Sequence, residues 1–351
     1  MSTFFETRPL RIWLPALRAG SGADIFTIQL SKNLEKLGHQ PVLQWFDRRF
    51  ELCPWLLKKI APPPSIDLIH TNTWQGFAFK RAGIPLVVTE HHSSMHPLLN
   101  LYHSSAQRFY HKFFVQRWNR LSYVSADAVV AVSKFCADPM YKEVPDRLHI
   151  IYNGIDIKNF TPREDWIKKE ANKPFRILFV GNPLKRKGFD ILAPLAEILG
   201  EEYEILCLGG LRHEHAKKSK EKIRYLPRTP PEKMPDIYRS VDVLIAPTRF
   251  ENFGYFVLEA MACGLPVVGF ARGGTMEQCI HNETSLLCEV DDLKTLAANI
   301  FRLAEDRQLR TRLSKNSRQR IIDLFTEEKC ADSYIKLYRM ILAHKSGETC
   351  F

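Results

Sequence analysis

The sequence predicts an α/β protein of two doubly wound, Rossmann-like domains, and three observations predict it. Short apolar runs of strand length alternate with helical stretches from Arg11 onward, which is the pattern of βαβ units around a parallel sheet. A polar, charged stretch poor in apolar residues, TPREDWIKKEANK (161–173), interrupts that alternation near mid-chain and reads as an interdomain linker. The length of 351 residues is long for one core and comfortable for two. The expected domains are 1–160 and 174–326 on either side of that linker.

In the first half, Arg11 to Leu17 reads as a strand, AGSGAD (19–24) as a loop, and the helix it opens runs to about Leu37. Gly38 stops that helix and Pro41 to Phe46 is the second strand. Gly20 and Gly22 allow close approach of backbone to a ligand or to another segment. Ile25 stands where a dinucleotide fingerprint needs its third glycine, so a plain tight turn and a ligand-facing loop both remain open. SIDLIHTN (65–72) is a strand, 74–82 a helix, and IPLVVTEHH (84–92) a strand ending in His91 and His92. The carboxyl end of a buried strand is where such sheets place ligands; a pair of exposed loop histidines is the plainer alternative.

Residues 96–121, HPLLNLYHSSAQRFYHKFFVQRWNRL, read as one helix. Arg108, Lys112, Gln116 and Arg120 form a polar ladder beside an aromatic face of Phe109, Tyr110, Phe113, Phe114, Trp118 and Leu121. Packing of that face on the first sheet is the favoured reading, and a basic element at a membrane surface is the other. ADAVVAVS (126–133) and LHIIYNGID (148–156) complete the strands of this half.

The second half opens with a buried strand into a basic loop, PFRILFVGNPLKRKG (174–188), and a helix from Phe189 to Leu199. Lys185, Arg186, Lys187 and Gly188 at a helix start suit a diphosphate. The loop is not a Walker A motif. Strands at 203–210 and 222–228 and a short helix at 231–240 follow. The stretch 241–277 then supplies a strand (Val241 to Pro247), a polar loop, and a helix opening at Gly254. Gly264 is placed to end that helix, and a strand from Pro266 to Phe270 and a Gly-Gly loop come after it. Glu251 lies in the first loop and Glu259 on the helix. A strand at Ser285 to Val290 and helices at 292–304, 307–324 and 327–344 end the chain.

Composition narrows the classes. Apolar content of 45% and charged content of 25% are those of an ordinary globular protein. Eight cysteines include no C-x-x-C pair, which fits reduced core thiols in the cytoplasm better than a disulfide framework. The N-terminus lacks a signal-peptide apolar run, and no stretch approaches 18 apolar residues, so no span is expected. Net charge is +11, and residues 1–160 carry 19 Lys and Arg against 12 Asp and Glu. That excess suits an anionic membrane, a phosphorylated acceptor or nucleic acid. His213 and His215 have no further ligand at usable spacing, and no Asp-x-Asp occurs, so no metal is expected.

Together, AVVAVS (128–133), IYNGIDIKNFTP (151–162), GNPLKRKG (181–188) and ENFGYFVLEAMACGLPVVGFARGGTME (251–277) resemble the GT-B glycosyltransferases of retaining family 4, the glycosyl transferases of group 1. The E-x7-E part with G-x-P-V-V and G-G-x-x-E after it is the specific portion, and the first half matches weakly. The resemblance implies two Rossmann-like domains facing across a cleft, the last segment, 327–351, returning to the first, and transfer, with retention, of a sugar from a nucleotide-sugar donor to a glycan or lipid-linked saccharide. It implies no metal or other cofactor. Glu251 would bind donor-sugar hydroxyls, aided by the backbone of Asn252, Phe253, Gly254 and Tyr255, and Glu259 the ribose hydroxyls. Lys187 would hold the diphosphate, and Gly20 and Gly22 would face it. His91 matches the family's T-x-H position near sugar and acceptor, with His92 as the fallback.

One departure stands out. The family usually has Arg after the glycine of the phosphate loop, and this chain has Asn182, leaving Arg186 as the candidate second cation. The KRKG loop and the basic aromatic segment are particularly similar to enzymes building lipopolysaccharide cores, which implies a cytoplasmic protein at the inner membrane face. A non-catalytic nucleotide-sugar-binding protein and a sugar-nucleotide epimerase are the competing readings. A nucleic-acid partner would explain the charge but none of the motifs.

Overall fold

A computed structural model describes residues 8–162, 174–209 and 223–345. The described residues form two compact units, one running to Gly154 and resuming at Glu327, the other spanning Ile155–Thr326. The LRHEH histidines and most of the expected linker lie outside the described residues.

The first unit is a six-stranded parallel sheet in the order β2-β1-β3-β4-β5-β6. Its strands are β1 (Arg11–Leu17), β2 (Gln40–Phe46), β3 (Leu68–Asn72), β4 (Leu86–Glu90), β5 (Ala128–Ala131) and β6 (Leu148–Ile150). β3, β4 and β5 are buried along almost their whole length; β5 is wholly apolar, while β3 and β4 carry polar side chains toward their carboxyl ends. The helix Glu327–Lys345 belongs to this unit. Its Tyr334 and Tyr338 are buried four residues apart on one face. Tyr338 Oη meets His70 Nδ1 at 2.6 Å, and Tyr334 Oη meets Thr89 Oγ1 at 3.0 Å. His70 Nε2 reaches the same Thr89 hydroxyl at 2.7 Å.

The second unit repeats the plan in the order β12-β11-β10-β7-β8-β9, again all parallel. Its strands are β7 (Phe175–Val180), β8 (Tyr203–Leu208), β9 (Ile223–Leu226), β10 (Val243–Ala246), β11 (Val267–Phe270) and β12 (Ser285–Cys288). Alternate strand residues such as Ile177, Phe179, Val243 and Ile245 meet Leu192, Leu195, Leu296 and Ile300 of the covering helices in one core. The unit begins six residues before the expected boundary at 160/161. Ile155 N–H bonds Phe325 O at 2.8 Å, and the Arg318 guanidinium donates to the carbonyls of Ile157 and Phe160 at 2.9 and 2.6 Å. These bonds fix 155–160 to the second sheet's helices.

In each sheet the direction of strand addition reverses beside the strand entered first, between β1 and β3 and between β7 and β10. Loops leaving the carboxyl ends of such a strand pair diverge and leave room for a ligand. Topology alone therefore nominates the loops after β7 and β10, and those after β1 and β3.

Three local expectations are corrected. The helix expected over 74–82 is a single turn, Gly76–Phe79. The helix expected from Phe189 begins at Leu192; Lys185–Lys187 and Phe189–Ile191 are separate 3₁₀ turns hinged at Gly188. Residues 96–121 are broken. A 3₁₀ turn at Pro97–Tyr102 gives way to a helix recapped at Ser104, which runs through a π-helical turn, His111–Val115, to Ser125. Ser104 and Gln107 form a capping box, which restarts the helix. Trp118 and Tyr123 are buried, but Phe109, Phe113, Phe114 and Leu121 are exposed. The aromatic face is thus split, and most of it does not pack on the sheet. No helix among the described residues is long and apolar enough to cross a membrane.

Candidate functional site

The loop after β7 is held open by one glycine. Gly188 has φ +76°, and a Cβ there would lie 2.2 Å from Pro247 O on the loop after β10. Only glycine allows that approach. The two loops are further joined by Arg249 N–H and Phe250 N–H, which donate to Arg186 O at 2.9 and 3.3 Å. The Arg249 side chain, 7% exposed, ties the joint. Its guanidinium forks onto Asp190 at 2.6 and 3.0 Å, reaches Asp291 at 2.7 Å and donates to Lys185 O. A buried cation matched by two carboxylates and a carbonyl is satisfied in place.

This joint brings Lys187 Nζ onto Glu251 Oε2 as an ion pair, with both side chains largely shielded. Lys187 Nζ also lies 5.5 Å from the centre of the Phe256 ring. Glu251–Gly254 is clamped from behind by the Gly-Gly loop. Gly274 N–H donates to Glu251 O at 2.8 Å, and a Cβ on Gly274 would sit 2.0 Å from Asn252 O. Gln278 Nε2 donates to Gly254 O at 3.1 Å. Gly254 is the N-cap of helix Tyr255–Ala262 and offers no side chain to it. A helix N-terminus thus lies beside a lysine, an arrangement that attracts an anion.

Glu259 follows on that helix. Tyr238 Oη donates to its Oε2 at 2.6 Å, and burial pushes the carboxyl up to about 7 against that hydrogen bond. Phe253 is buried with its ring 5.9 Å from Phe325. Asn252 is buried, Tyr255 is partly exposed, and the neutral amide of Asn182 is half-buried in the β7 loop.

The first unit holds the remaining candidates. Gly20 has φ +63°, but Asp24 Oδ2 accepts from Ala19 N–H and Gly20 N–H, both at 2.9 Å. Gly20 therefore shapes the turn, and its own donor is committed to Asp24. Gly22 starts the helix Gly22–Lys36. His91 and His92 lie just past β4 rather than within it. The His91 ring packs 4.6 Å from Phe26, and burial lowers its pKa to about 3, so it is a neutral imidazole at ordinary pH.

The second unit accordingly assembles Lys187, Arg186, Glu251, Asn252, Phe253, Gly254, Tyr255 and Glu259 on adjoining loops and one helix, while Gly20, Gly22 and His91 belong to the first. Sequence reasoning missed Arg249, Tyr238, Asp24 and Glu90. Arg249 carries no motif signal, because its partners lie 59 and 42 positions away. Among the described residues, no three His, Cys, Asp or Glu side chains gather as a metal site would require.

Comparisons with known proteins bear on the family and the fold. Residues 161–320 match the model for glycosyl transferases group 1, and residues 44–159 match that for glycosyltransferase family 4. An uncharacterized glycosyltransferase of Methanocaldococcus jannaschii is 26% identical over 285 residues, 80% of this chain and 77% of that one. The D-inositol 3-phosphate glycosyltransferase of Salinispora arenicola is 26% identical over 78% of this chain and 68% of its own. The alpha-maltose-1-phosphate synthase of Mycolicibacterium smegmatis is 27% identical over 79% of each. Among solved structures, sucrose-phosphate synthase from Thermosynechococcus elongatus superposes with a TM-score of 0.80 at 22% identity, covering 96% of this chain and all of that one. Anabaena HepE in complex with UDP-glucose gives 0.67 at 18%, again covering 96% of this chain and all of the other.

Proposed function

The chain belongs to the group 1, family 4 glycosyltransferases of GT-B fold, and we propose that it moves a hexose from a nucleoside-diphosphate sugar to a lipid-linked saccharide. The observation that carries this is the Lys187–Glu251 pair at the reversal of the second sheet, beside an uncapped helix N-terminus. In this reading Lys187 and the helix N-terminus hold the diphosphate. They stabilise the charge that builds on it as the anomeric C–O bond breaks. Glu251 and the Asn252–Tyr255 backbone hold sugar hydroxyls. Glu259 accepts from the ribose diol, its carboxylate being a match for paired hydroxyl donors. His91, uncharged, faces sugar and acceptor. The reaction proceeds with retention and without a metal.

A UDP-hexose is the first donor to test, since HepE was solved with UDP and with UDP-glucose. A lipid-linked acceptor, such as a lipopolysaccharide core, is favoured by the exposed aromatic helix. Phe109 is 59% exposed, Phe113 52% and Val124 74%, with Arg108, Lys112, Arg117 and Arg120 exposed among them. No Asp or Glu occurs between Glu90 and Asp127. An apolar surface with Arg108, Lys112 and Arg117 exposed, and Arg120 paired with Glu143 at 3.0 Å, suits the anionic inner face of a membrane. A phosphorylated small polyol or sugar is the second acceptor class, favoured by the likeness to a D-inositol 3-phosphate glycosyltransferase and an alpha-maltose-1-phosphate synthase.

The test is release of nucleoside diphosphate from UDP-, GDP- and ADP-hexoses, with and without lipid-linked or phosphorylated acceptors, in the presence of EDTA. Transfer that disappears in Lys187→Ala supports the reading. Conversion of donor with no acceptor present, or no release from any donor, overturns it.

A further inference from the structure

Glu90 is the last residue of β4, 2% exposed, and its carboxylate accepts four hydrogen bonds from three separate segments. Oε2 accepts from Thr73 Oγ1 at 2.9 Å, Asn119 Nδ2 at 3.0 Å and Tyr123 Oη at 2.6 Å. Oε1 accepts from His92 N–H at 3.0 Å. The loop beyond is held by the same helix. Asn119 Nδ2 donates to Ser94 Oγ at 3.0 Å, and Gln116 Nε2 donates to Ser94 O at 3.2 Å. The main chain of Glu90 is fixed too, its carbonyl accepting from Cys136 Sγ at 3.4 Å.

We infer that Glu90 is the positioning residue of the His91–His92 loop, its ionised carboxylate binding that loop and helix Gln116–Ser125 to the end of β4. A carboxylate is the group this place calls for. Two of its four partners, the Asn119 amide N–H and the His92 N–H, can only donate. An amide or a protonated acid in its position would turn a donor toward a ring of donors and leave one unmet. The inference rests on the reading of His91 as the residue facing sugar and acceptor, and it adds a proton switch to that reading. Burial raises the Glu90 carboxyl to about 7, against the bonds from Tyr123, Thr73 and His92. Tyr123 also feels Cys136 and Glu143, so these are the titratable groups around the carboxyl, with His91 and His92 on the loop itself. As pH falls through about 7, the clamp loses its charge and the loop its anchor.

The test is the pH profile of kcat at saturating donor, read beside the histidine ring resonances, which need no substrate. The wild type is expected to show an acid limb with a midpoint near 7. The His91 resonances, whose ring stays neutral through this range, are expected to move with the same midpoint. Glu90→Gln should lower kcat at least tenfold with donor KM unchanged, abolish the limb and freeze those resonances. Glu90→Asp should restore part of kcat and keep a limb. Tyr123→Phe removes a bond that favours the charged form, so its limb should move to higher pH in a folded protein. Wild-type kcat and an unmoved acid limb in Glu90→Gln, or an unshifted limb in Tyr123→Phe, would overturn the assignment. If no donor turns over, the resonances still decide it: a midpoint near 7 that vanishes in Glu90→Gln upholds the clamp, and its persistence there rejects it.

Discussion

Lys187 and Glu251 stand 64 positions apart in the chain and meet as a shielded ion pair. Each neutralises the other while the site is without a donor. On the proposed reading, a diphosphate would take the lysine and a sugar hydroxyl would donate to the carboxylate, replacing one ion pair with an ionic contact and a charge-assisted hydrogen bond. Removing either partner strands the other charge in a shielded place. Lys187→Ala and Glu251→Ala are each expected to lower turnover by about 100-fold or more, roughly 3 kcal/mol of transition-state stabilisation. The double variant should lose much less than the product of the two. Steady-state nucleotide release on all four proteins checks this, and strict additivity would count against the coupling.

Gly188 predicts a different kind of failure. Alanine there must hold φ +76° and place its Cβ 2.2 Å from a backbone oxygen. The left-handed conformation alone costs about 1–2 kcal/mol, and the collision adds to it by pushing the Lys187 turn off the β10 loop. Gly188→Ala should lower Tm by several degrees and cripple nucleotide release together. Gly20→Ala is the control. Its φ of +63° has open space around the missing Cβ, so it should cost only about 1–2 kcal/mol and leave Lys187 in place.

The exposed aromatic helix leads to a vesicle experiment. Phe109 and Phe113 lie one turn apart with ring centroids 4.6 Å from each other and outward-facing surfaces. Vesicles containing phosphatidylglycerol should co-float the protein at low salt, while phosphatidylcholine vesicles should not. Phe113→Asp should reduce that binding at least tenfold without changing Tm, since its side chain carries little of the core. Equal flotation by wild type and variant would remove the membrane from the proposal.

These outcomes bear on what the sequence could disclose. The alternation of strands and helices was legible because buried parallel strands are nearly uninterrupted apolar runs, as in Val267–Phe270. Glu251, Glu259 and Lys187 could be nominated from sequence because the two glutamates share one motif and the lysine lies in a short basic loop; the fold brings Lys187 onto Glu251. The 96–121 segment was misjudged because residue types do not tell which side of a helix is covered. Trp118 is 5% exposed while Phe114 four residues earlier on the same helix is 44% exposed, across a π-helical turn that shifts the phase. Arg249, Tyr238 and Glu90 were invisible for another reason. Their work is done through partners brought near only by the fold, and a single Arg in a loop, Tyr in a short helix or Glu at a strand end carries no spacing to read.

Glu259 closes the argument with a proton count. Burial raises its carboxyl to about 7 in the folded protein, against 4.5 for an exposed glutamate. Between these values the native state holds a proton that the unfolded state has released. Stability therefore falls as pH rises from 4.5 to 7, by about 3 kcal/mol for this group. Glu259→Gln should flatten that part of the stability curve relative to wild type, measured by urea unfolding at each pH. Tyr238→Phe should steepen it, because losing the Tyr238 bond raises the carboxyl further. A ribose diol donating to Glu259 favours the charged form, so donor binding at pH 7 should expel up to about half a proton. Calorimetry in buffers of different ionisation enthalpy reads that proton directly. Binding of the donor with no proton released in wild type, or with the same release in Glu259→Gln, would move the ribose contact to another residue.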